Sequence, residues 1–286
     1  MKSLNNTLYT IRGLKCAYNG GETVLSVPAL AIEAGQIMVV LGKSGYGKST
    51  FLETLALMNN TIKEGSVEII PPSLNGVKKY ELASIWQTND IQLQAGIRSA
   101  HFSFIFQQTN LMPNFSVYEN IYITRMIQGC PIEQCQKETA EILDRIGLSH
   151  IDAKRNVTEL SGGQRQRVAF ARAIISSFDV LFGDEPTGNL DEVNTSELLS
   201  ILAGFIHNSN SESPKTAIIV THSIDMALKF GDSIVVIKKD EGPAVIESVF
   251  RYRKQLQNGQ TTWENEKTTL KEEEFKIYLR KQFFSY

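Results

Sequence analysis

Gly42-Lys-Ser-Gly-Tyr-Gly-Lys-Ser-Thr50 fits the phosphate-binding pattern G-x-x-x-x-G-K-[ST]. Its flanks supply the context that the pattern needs. Gln36-Ile-Met-Val-Val-Leu41 before it reads as a buried strand, and Ser49 to Met58 after it as a helix. Glycines in such a loop let backbone N–H groups turn inward without Cβ clashes, forming a nest for phosphate oxygens. The helix N-terminus adds partial positive charge. In this pattern Lys48 reaches the β- and γ-phosphates, and the Ser49 hydroxyl ligates Mg²⁺.

Outward from the loop, the N-terminal side is β-rich, with strands expected at Leu8–Cys16, Val24–Val27 and Leu30–Glu33. Glu64–Ile70 reads as another strand. Residues 71–100 carry turn residues early (Pro71-Pro72-Ser73, Asn75-Gly76) and little periodicity, so they stay unassigned. His101-Phe-Ser-Phe-Ile-Phe106 is a strand candidate. Ser116 to Leu148 is helical, with Pro131 opening a helix and Gly147 closing one. Ser161 starts a further helix, and Gln164 completes its capping box. Asp179–Gly183, Thr216–Val220 and Ser233–Lys238 read as buried strands alternating with helices. That is βαβ architecture around a parallel sheet, interrupted by a helical insertion between Gln107 and Ser161. After Phe250 the composition turns polar. A last helix is expected over Leu270–Phe284, with Thr269 and Glu272 as its capping box. It mixes acidic and basic residues without a clean apolar stripe, so it either packs on the rest or binds a partner.

The length of 286 residues allows one large domain or two small ones with ample core. A formal charge of −2 gives no global field toward nucleic acid or anionic lipid, and no nucleic-acid partner is expected. No apolar run approaches the roughly 20 residues that span a bilayer. Met1-Lys-Ser-Leu-Asn-Asn-Thr7 lacks the hydrophobic core of a signal peptide, so a cytoplasmic location is expected. Cys16, Cys130 and Cys135 have no metal-site spacing and read as reduced thiols.

Two further motifs carry chemistry. Asp179-Val-Leu-Phe-Gly-Asp-Glu185 is an apolar strand ending in two acids, and ligands bind at the carboxyl ends of parallel strands. Asp184 there suits a Mg²⁺ shell, and Glu185 suits polarising an attacking water. Adjacent carboxylates at a strand end also occur as solvated turn residues; the phosphate loop in the same chain favours the chemical reading. Leu160-Ser-Gly-Gly-Gln164, followed by Arg165-Gln-Arg-Val-Ala-Phe-Ala-Arg-Ala173, is by itself an N-capped helix with a glycine-rich first turn.

Together, and in this order, the three motifs resemble those of ATP-binding cassette (ABC) ATPases, over residues 8 to about 240. The resemblance implies an α/β, ABC-type P-loop NTPase fold with an antiparallel β subdomain and a helical signature subdomain. Residues 1–250 would form the nucleotide-binding domain, with the helical subdomain at about 108–160, and 251–286 a polar extension. The resemblance implies ATP and Mg²⁺, with phosphates and metal held by Gly42, Ser44, Gly45, Gly47, Lys48, Ser49 and Thr50. Tyr18 matches the aromatic that stacks on adenine, Gln107 the glutamine that contacts Mg²⁺ and water, and His222 the histidine at the γ-phosphate. Asp184 completes the metal shell and Glu185 is the general base. Ser161, Gly162, Gly163 and Gln164 would close on the γ-phosphate of a second, head-to-tail copy, and Asp191 would cross that interface. His101, His150 and His207 match nothing in the family pattern.

Asp184-Glu-Pro-Thr-Gly-Asn-Leu-Asp191 and Phe115-Ser-Val-Tyr-Glu-Asn-Ile121 most resemble the branch serving lipoprotein release, macrolide export and a related cell-division complex. In that branch the ATPase drives a separate integral membrane permease, which places the chain peripherally on the inner face of the cell membrane. The alternative is an ABC ATPase transmitting force to a membrane partner that regulates cell-wall enzymes. Two departures stand out: Tyr46 is bulky where the loop usually carries a small residue, and Gly183 precedes Asp184 where a larger one is common.

Overall fold

A computed structural model describes residues 6–284, apart from 77, 153, 189, 208–212 and 258. The chain opens with an antiparallel pair, β1 (Thr7–Cys16) and β2 (Leu25–Glu33). β2 is one strand rather than two. The missing N–H of Pro28 is tolerated because the ladder skips the position opposite Gly13, where β1 passes through φ 58°. The next strand, β3 (Ile37–Leu41), is buried throughout. Ile37, Val39 and Leu41 face one core while Met38 and Val40 face the other, as expected of a central parallel strand covered on both sides.

The helix after the phosphate loop, α1 (Lys48–Leu55), is shorter than its apolar pattern suggested, because Leu57 turns into the left-handed region at φ 54°. β4 (Ile62–Ile69) pairs with β1, and β5 (Tyr80–Glu81) adds an edge. The unassigned segment holds two helices, α2 (Leu82–Gln87) and α3 (Ile91–His101). Each has a carboxylate cap: Glu81 Oε2 accepts from Ser84 N (2.6 Å) and Asp90 Oδ1 from Leu93 N (2.9 Å). The apolar period of α3 is hidden because Gln94 and His101 occupy buried positions, and α2, with Leu82 and Ile85 buried, is too short to show one.

β6 (Phe102–Ile105) leads into a helical layer of α4 (Val117–Ile127) and α5 (Ile132–Arg145), followed by α6 (Gly162–Ile175). Alternation then follows: β7 (Val180–Asp184), α7 (Glu192–His207), β8 (Thr216–Thr221), α8 (Ile224–Phe230), β9 (Ser233–Val236) and the short β10 (Ala244–Val245). The chain after Phe250 forms β11 (Arg251–Gln257), β12 (Gln260–Glu264), β13 (Thr269–Lys271) and α9 (Glu272–Phe284).

The main sheet runs β13-β12-β11-β9-β3-β8-β7-β6, parallel from β9 to β6 and antiparallel outboard of β9. The smaller sheet runs β10-β2-β1-β4-β5. Phe51, Leu52 and Leu55 of α1 fill the core between the two sheets. On the other face of the main sheet, residues of α6, α7 and α8 close a second core.

The polar C-terminal stretch is built into this frame. β11 pairs with β9, and both Arg251 and Arg253 bond to Glu33. Trp263, Phe275 and Leu279 are fully buried. Phe275 and Leu279, one turn apart, are the apolar stripe that the charged sequence conceals. The capping interaction lies two residues later than Thr269 and Glu272: Lys271 N donates to Glu274 Oε2 (3.0 Å), because Thr269–Lys271 is occupied as a strand against β12. Among the described residues no helix is long and apolar enough to cross a membrane. Cys16, Cys130 and Cys135 are free thiols.

Candidate active site

Parallel strands aim their carboxyl ends at one place. β3 delivers Gly42, β6 delivers Gln107, β7 delivers Asp184 and Glu185, and β8 delivers His222. All five line a cleft of about 1130 Å³, together with Tyr18 and the loop residues Ser44, Gly45, Gly47, Lys48, Ser49 and Thr50. Ligands of open α/β sheets bind at this end of the strands.

The loop conformation explains its glycines. Gly45 and Gly47 sit at φ 78° and 81°, a region costly for residues with a Cβ. Gly47 is the N-cap of α1, so the first N–H groups of that helix open toward the cleft. Lys48 is nearly buried. Its ammonium donates to the carbonyls of Gly42 (2.9 Å) and Lys43 (3.2 Å), and lies 3.9 Å from Glu185 Oε1. Burial pushes its pKa down, opposed by the charges of Glu185 and Asp184. Tyr46 is absent from the cleft lining and packs against the core between the sheets, so its bulk does not crowd the phosphate loop.

Asp184 ends β7 with its carboxyl pushed above the usual aspartate range. Burial is the main cause and the neighbouring Glu185 charge adds to it; the Ser49 hydroxyl bond and Lys48 pull the other way. A carboxylate so poorly compensated fits a site for a hard cation. Ser49, Gln107 and Asp184 offer hydroxyl, amide and carboxylate oxygens, the donor types Mg²⁺ prefers.

Glu185 takes a left-handed φ of 45°, a conformation that costs a non-glycine residue about 1 kcal/mol or more. Its N–H is held by Val220 O (3.0 Å). Its carboxylate accepts from Thr221 Oγ1 (3.1 Å) and bonds His222 Nδ1 (2.9 Å). The turn that makes this possible explains Gly183: a Cβ there would stand 3.3 Å from Pro186 Cγ and 3.5 Å from Ile219 Cγ1. At the far end of the cleft the Tyr18 hydroxyl bonds Thr50 Oγ1 (2.8 Å), and its ring remains 45% exposed. This bond ties the aromatic to the phosphate loop, a link that sequence reading did not anticipate.

The remaining expected residues lie elsewhere. Ser161, Gly162, Gly163, Gln164 and Asp191 do not line this cleft. Ser161 and Gln164 form a reciprocal capping box, with Gln164 N to Ser161 Oγ at 3.3 Å and Ser161 N to Gln164 Oε1 at 2.9 Å. Ser161 through the first turn of α6 thus presents an exposed helix start. Asp191 accepts from Asn194 N (2.8 Å) and Nδ2 (2.6 Å), bonds that hold its carboxyl below the usual range. Asn189, from the same stretch, lies outside the described residues. Sequence reading missed Glu22, Thr23, Lys239 and Pro243, which line the end of the cleft near Tyr18. Glu22 and Thr23 sit in the turn before β2, and Lys239 and Pro243 in the loop before β10, which pairs beside β2.

A family model described as "ABC transporter" matches residues 25–188. The lipoprotein-releasing system ATP-binding protein LolD of Pseudoalteromonas translucida is 32% identical over 231 residues, covering 80% of this chain and 92% of that protein. LolD of Nitratidesulfovibrio vulgaris is 34% identical over 230 residues, covering 79% and 91%. The macrolide export ATP-binding/permease protein MacB of Rhodopseudomonas palustris is 34% identical over 242 residues, covering 82% of this chain but only 34% of that protein. Among solved structures, the dimeric post-hydrolysis state of the ATP-binding cassette MJ0796, bound to ADP and Pi, superposes with a TM-score of 0.65. It is 27% identical and covers 80% of this chain and 94% of its own.

Proposed function

The chain belongs to the ABC transporter family, as an ATP-hydrolysing subunit, and on that premise we propose that it drives a separate membrane-spanning permease of the lipoprotein-release or export type. The arrangement of Glu185 carries the chemical part of the reading. Its carboxylate is fixed by Thr221 and His222, beside Asp184 and 3.9 Å from Lys48, at the strand ends where the phosphate loop opens. Phosphoryl transfer needs mainly positioning and charge neutralisation. In this reading the loop N–H groups and Lys48 hold the β- and γ-phosphates, and Tyr18 lies against the adenine. Ser49, Gln107 and Asp184 would hold Mg²⁺, which neutralises phosphate charge when bound. Glu185 takes a proton from the attacking water, and His222 fixes the γ-phosphate while orienting Glu185.

Ser161–Gln164 and Asp191 belong, in this reading, to a second copy's site. The helix start at Ser161 is exposed and outside the chain's own cleft, which suits a head-to-tail dimer. Residues 1–250 act as the nucleotide-binding domain, with the helical subdomain at about 108–160 and 251–286 as an extension.

The permease would be met at a groove of about 750 Å³ between α3, α4 and α6. Trp86, Phe104, Phe106 and Ile127 give it apolar walls, and Arg98 and Arg172 are its charged lining residues. A short amphipathic helix of the permease carrying an acidic side chain fits that combination. The groove includes Phe106, next to Gln107, so occupancy would be felt at the cleft.

One experiment tests both halves. Glu185→Gln protein is purified with ATP from detergent-solubilised membranes. Retained ATP binding, turnover reduced by roughly 10²-fold or more, and a stoichiometric multi-spanning membrane protein are expected. Near-normal turnover removes Glu185 as general base. Absence of a membrane protein argues against the permease.

A further inference from the structure

Two side chains of the helical layer grip the segment that follows Gln107. The Arg172 guanidinium, near the end of α6, donates to the carbonyls of Asn110 and Thr109, both at 2.8 Å. Asn120 on α4, fully buried, takes the next stretch. Its Oδ1 accepts from Met112 N at 2.7 Å, and its Nδ2 reaches the carbonyls of Met112, Phe115 and Ser116 at 3.1, 3.3 and 3.0 Å. The two helices are themselves linked by Thr124 Oγ1 to Arg172 O, at 3.4 Å.

On its other side Gln107 follows β6, whose last ladder partner is Ile105 against Gly183 of β7. Gln107 therefore lies two residues from the sheet and two residues from the Arg172 clamp. It is the junction between a part of the molecule fixed to β7 and a part fixed to α6.

Arginine is suited to that clamp. Its planar fork presents N–H groups from two separate nitrogens in a fixed geometry, one to each carbonyl; a lysine ammonium offers a single nitrogen on a flexible stem. Burial pushes the Arg172 pKa down, and among the described residues the partners of its guanidinium are the carbonyls of Thr109 and Asn110.

We propose that Arg172 is a positioning residue for Gln107: by tying the carbonyls of Thr109 and Asn110 to α6 it sets where the Gln107 side chain stands in the cleft. This rests on the reading of the cleft as a nucleotide site that includes Gln107.

The test compares wild type, Arg172→Met, Gln107→Ala and the double variant in the full chain. Arg172→Met should lower kcat by about tenfold, the scale seen when groups that orient a metal-site ligand are removed. ATP affinity, measured by calorimetry in the Glu185→Gln background, should be unchanged. Arg172→Lys should recover part of the loss. The double variant should be no slower than Gln107→Ala alone, because Arg172 acts through Gln107. Losses that multiply, a silent Gln107→Ala beside an impaired Arg172→Met, or normal kcat in Arg172→Met each overturn the inference. If Arg172→Met does not fold, Arg172→Lys enters the same cycle, since it keeps the charge but not the fork. Wild-type protein that neither binds nor hydrolyses ATP overturns the reading of the cleft, and the inference with it.

Discussion

Asp184 shows what a single residue contributes here. Its folded-state pKa is raised, mainly by burial, so the carboxylate form is a cost to the nucleotide-free protein. The folded protein binds this proton more tightly than the unfolded chain. Stability therefore falls as pH rises from the unfolded value, about 3.9, through the folded one. Above the folded value the whole cost is present. Asp184→Asn should then raise the melting temperature of nucleotide-free protein at pH 7.5, an advantage that fades toward pH 4. The same variant should lose the extra stabilisation that Mg²⁺ plus ATP gives the wild type. A lower melting temperature for the variant at pH 7.5 would show that the carboxylate is compensated. The existence of Asp184, Glu185 and Lys48 was legible in the sequence because motif spacing reports them. Their mutual bonds were not. Tyr18 to Thr50 and Glu185 to His222 join residues 32 and 37 positions apart, and only the fold sets those distances. The same holds for buried His101, whose ring bonds Asp179 at 2.7 Å across 78 positions.

Among the elements, the strands of the main sheet were legible because parallel strands buried on both faces read as continuous apolar runs. α2 and α3 were not: α2 is only six residues long, and in α3 polar Gln94 and His101 fill buried positions. For the C-terminal stretch the sequence left open whether it packs on the rest or binds a partner, and in the structure it packs on the rest. Its composition is polar, yet Phe275 stacks with Trp263 at 5.2 Å between ring centroids and touches Tyr252 at 4.5 Å. β11 joins these residues to the sheet that carries the phosphate loop. Phe275→Ala should cost about 3–5 kcal/mol, the range for removing a buried aromatic. Because the sheet is continuous, urea unfolding followed by near-UV and far-UV circular dichroism should show one shifted transition. A separate early transition confined to the tail would mean that 251–286 folds as an independent unit.

For the whole molecule, the decisive fact is that two helix starts suited to an anion lie in different places. One, at Gly47, opens into the cleft; the other, at Ser161, does not. A facing copy completes the site in the proposed mechanism, and the similar cassette MJ0796 is dimeric. Turnover per subunit of the isolated protein should rise with concentration until dimers saturate. In Glu185→Gln protein, ATP with Mg²⁺ should convert monomer to dimer by light scattering. A strict monomer with concentration-independent wild-type turnover would end the shared-site mechanism. What the sequence by itself determined was the chemistry and the family. The phosphate loop, the acidic strand end and the Leu160–Gln164 motif are local patterns, fixed by glycine φ angles, helix capping and strand burial within a few residues. What only the tertiary structure decided was how those pieces are held. The Tyr18 tether, the Arg172 clamp on Thr109 and Asn110, and the docking of the polar tail on β9 all depend on contacts between distant residues. Such contacts leave no periodic mark, because one well-placed polar or aromatic group suffices at each, and its partner can come from anywhere in the chain.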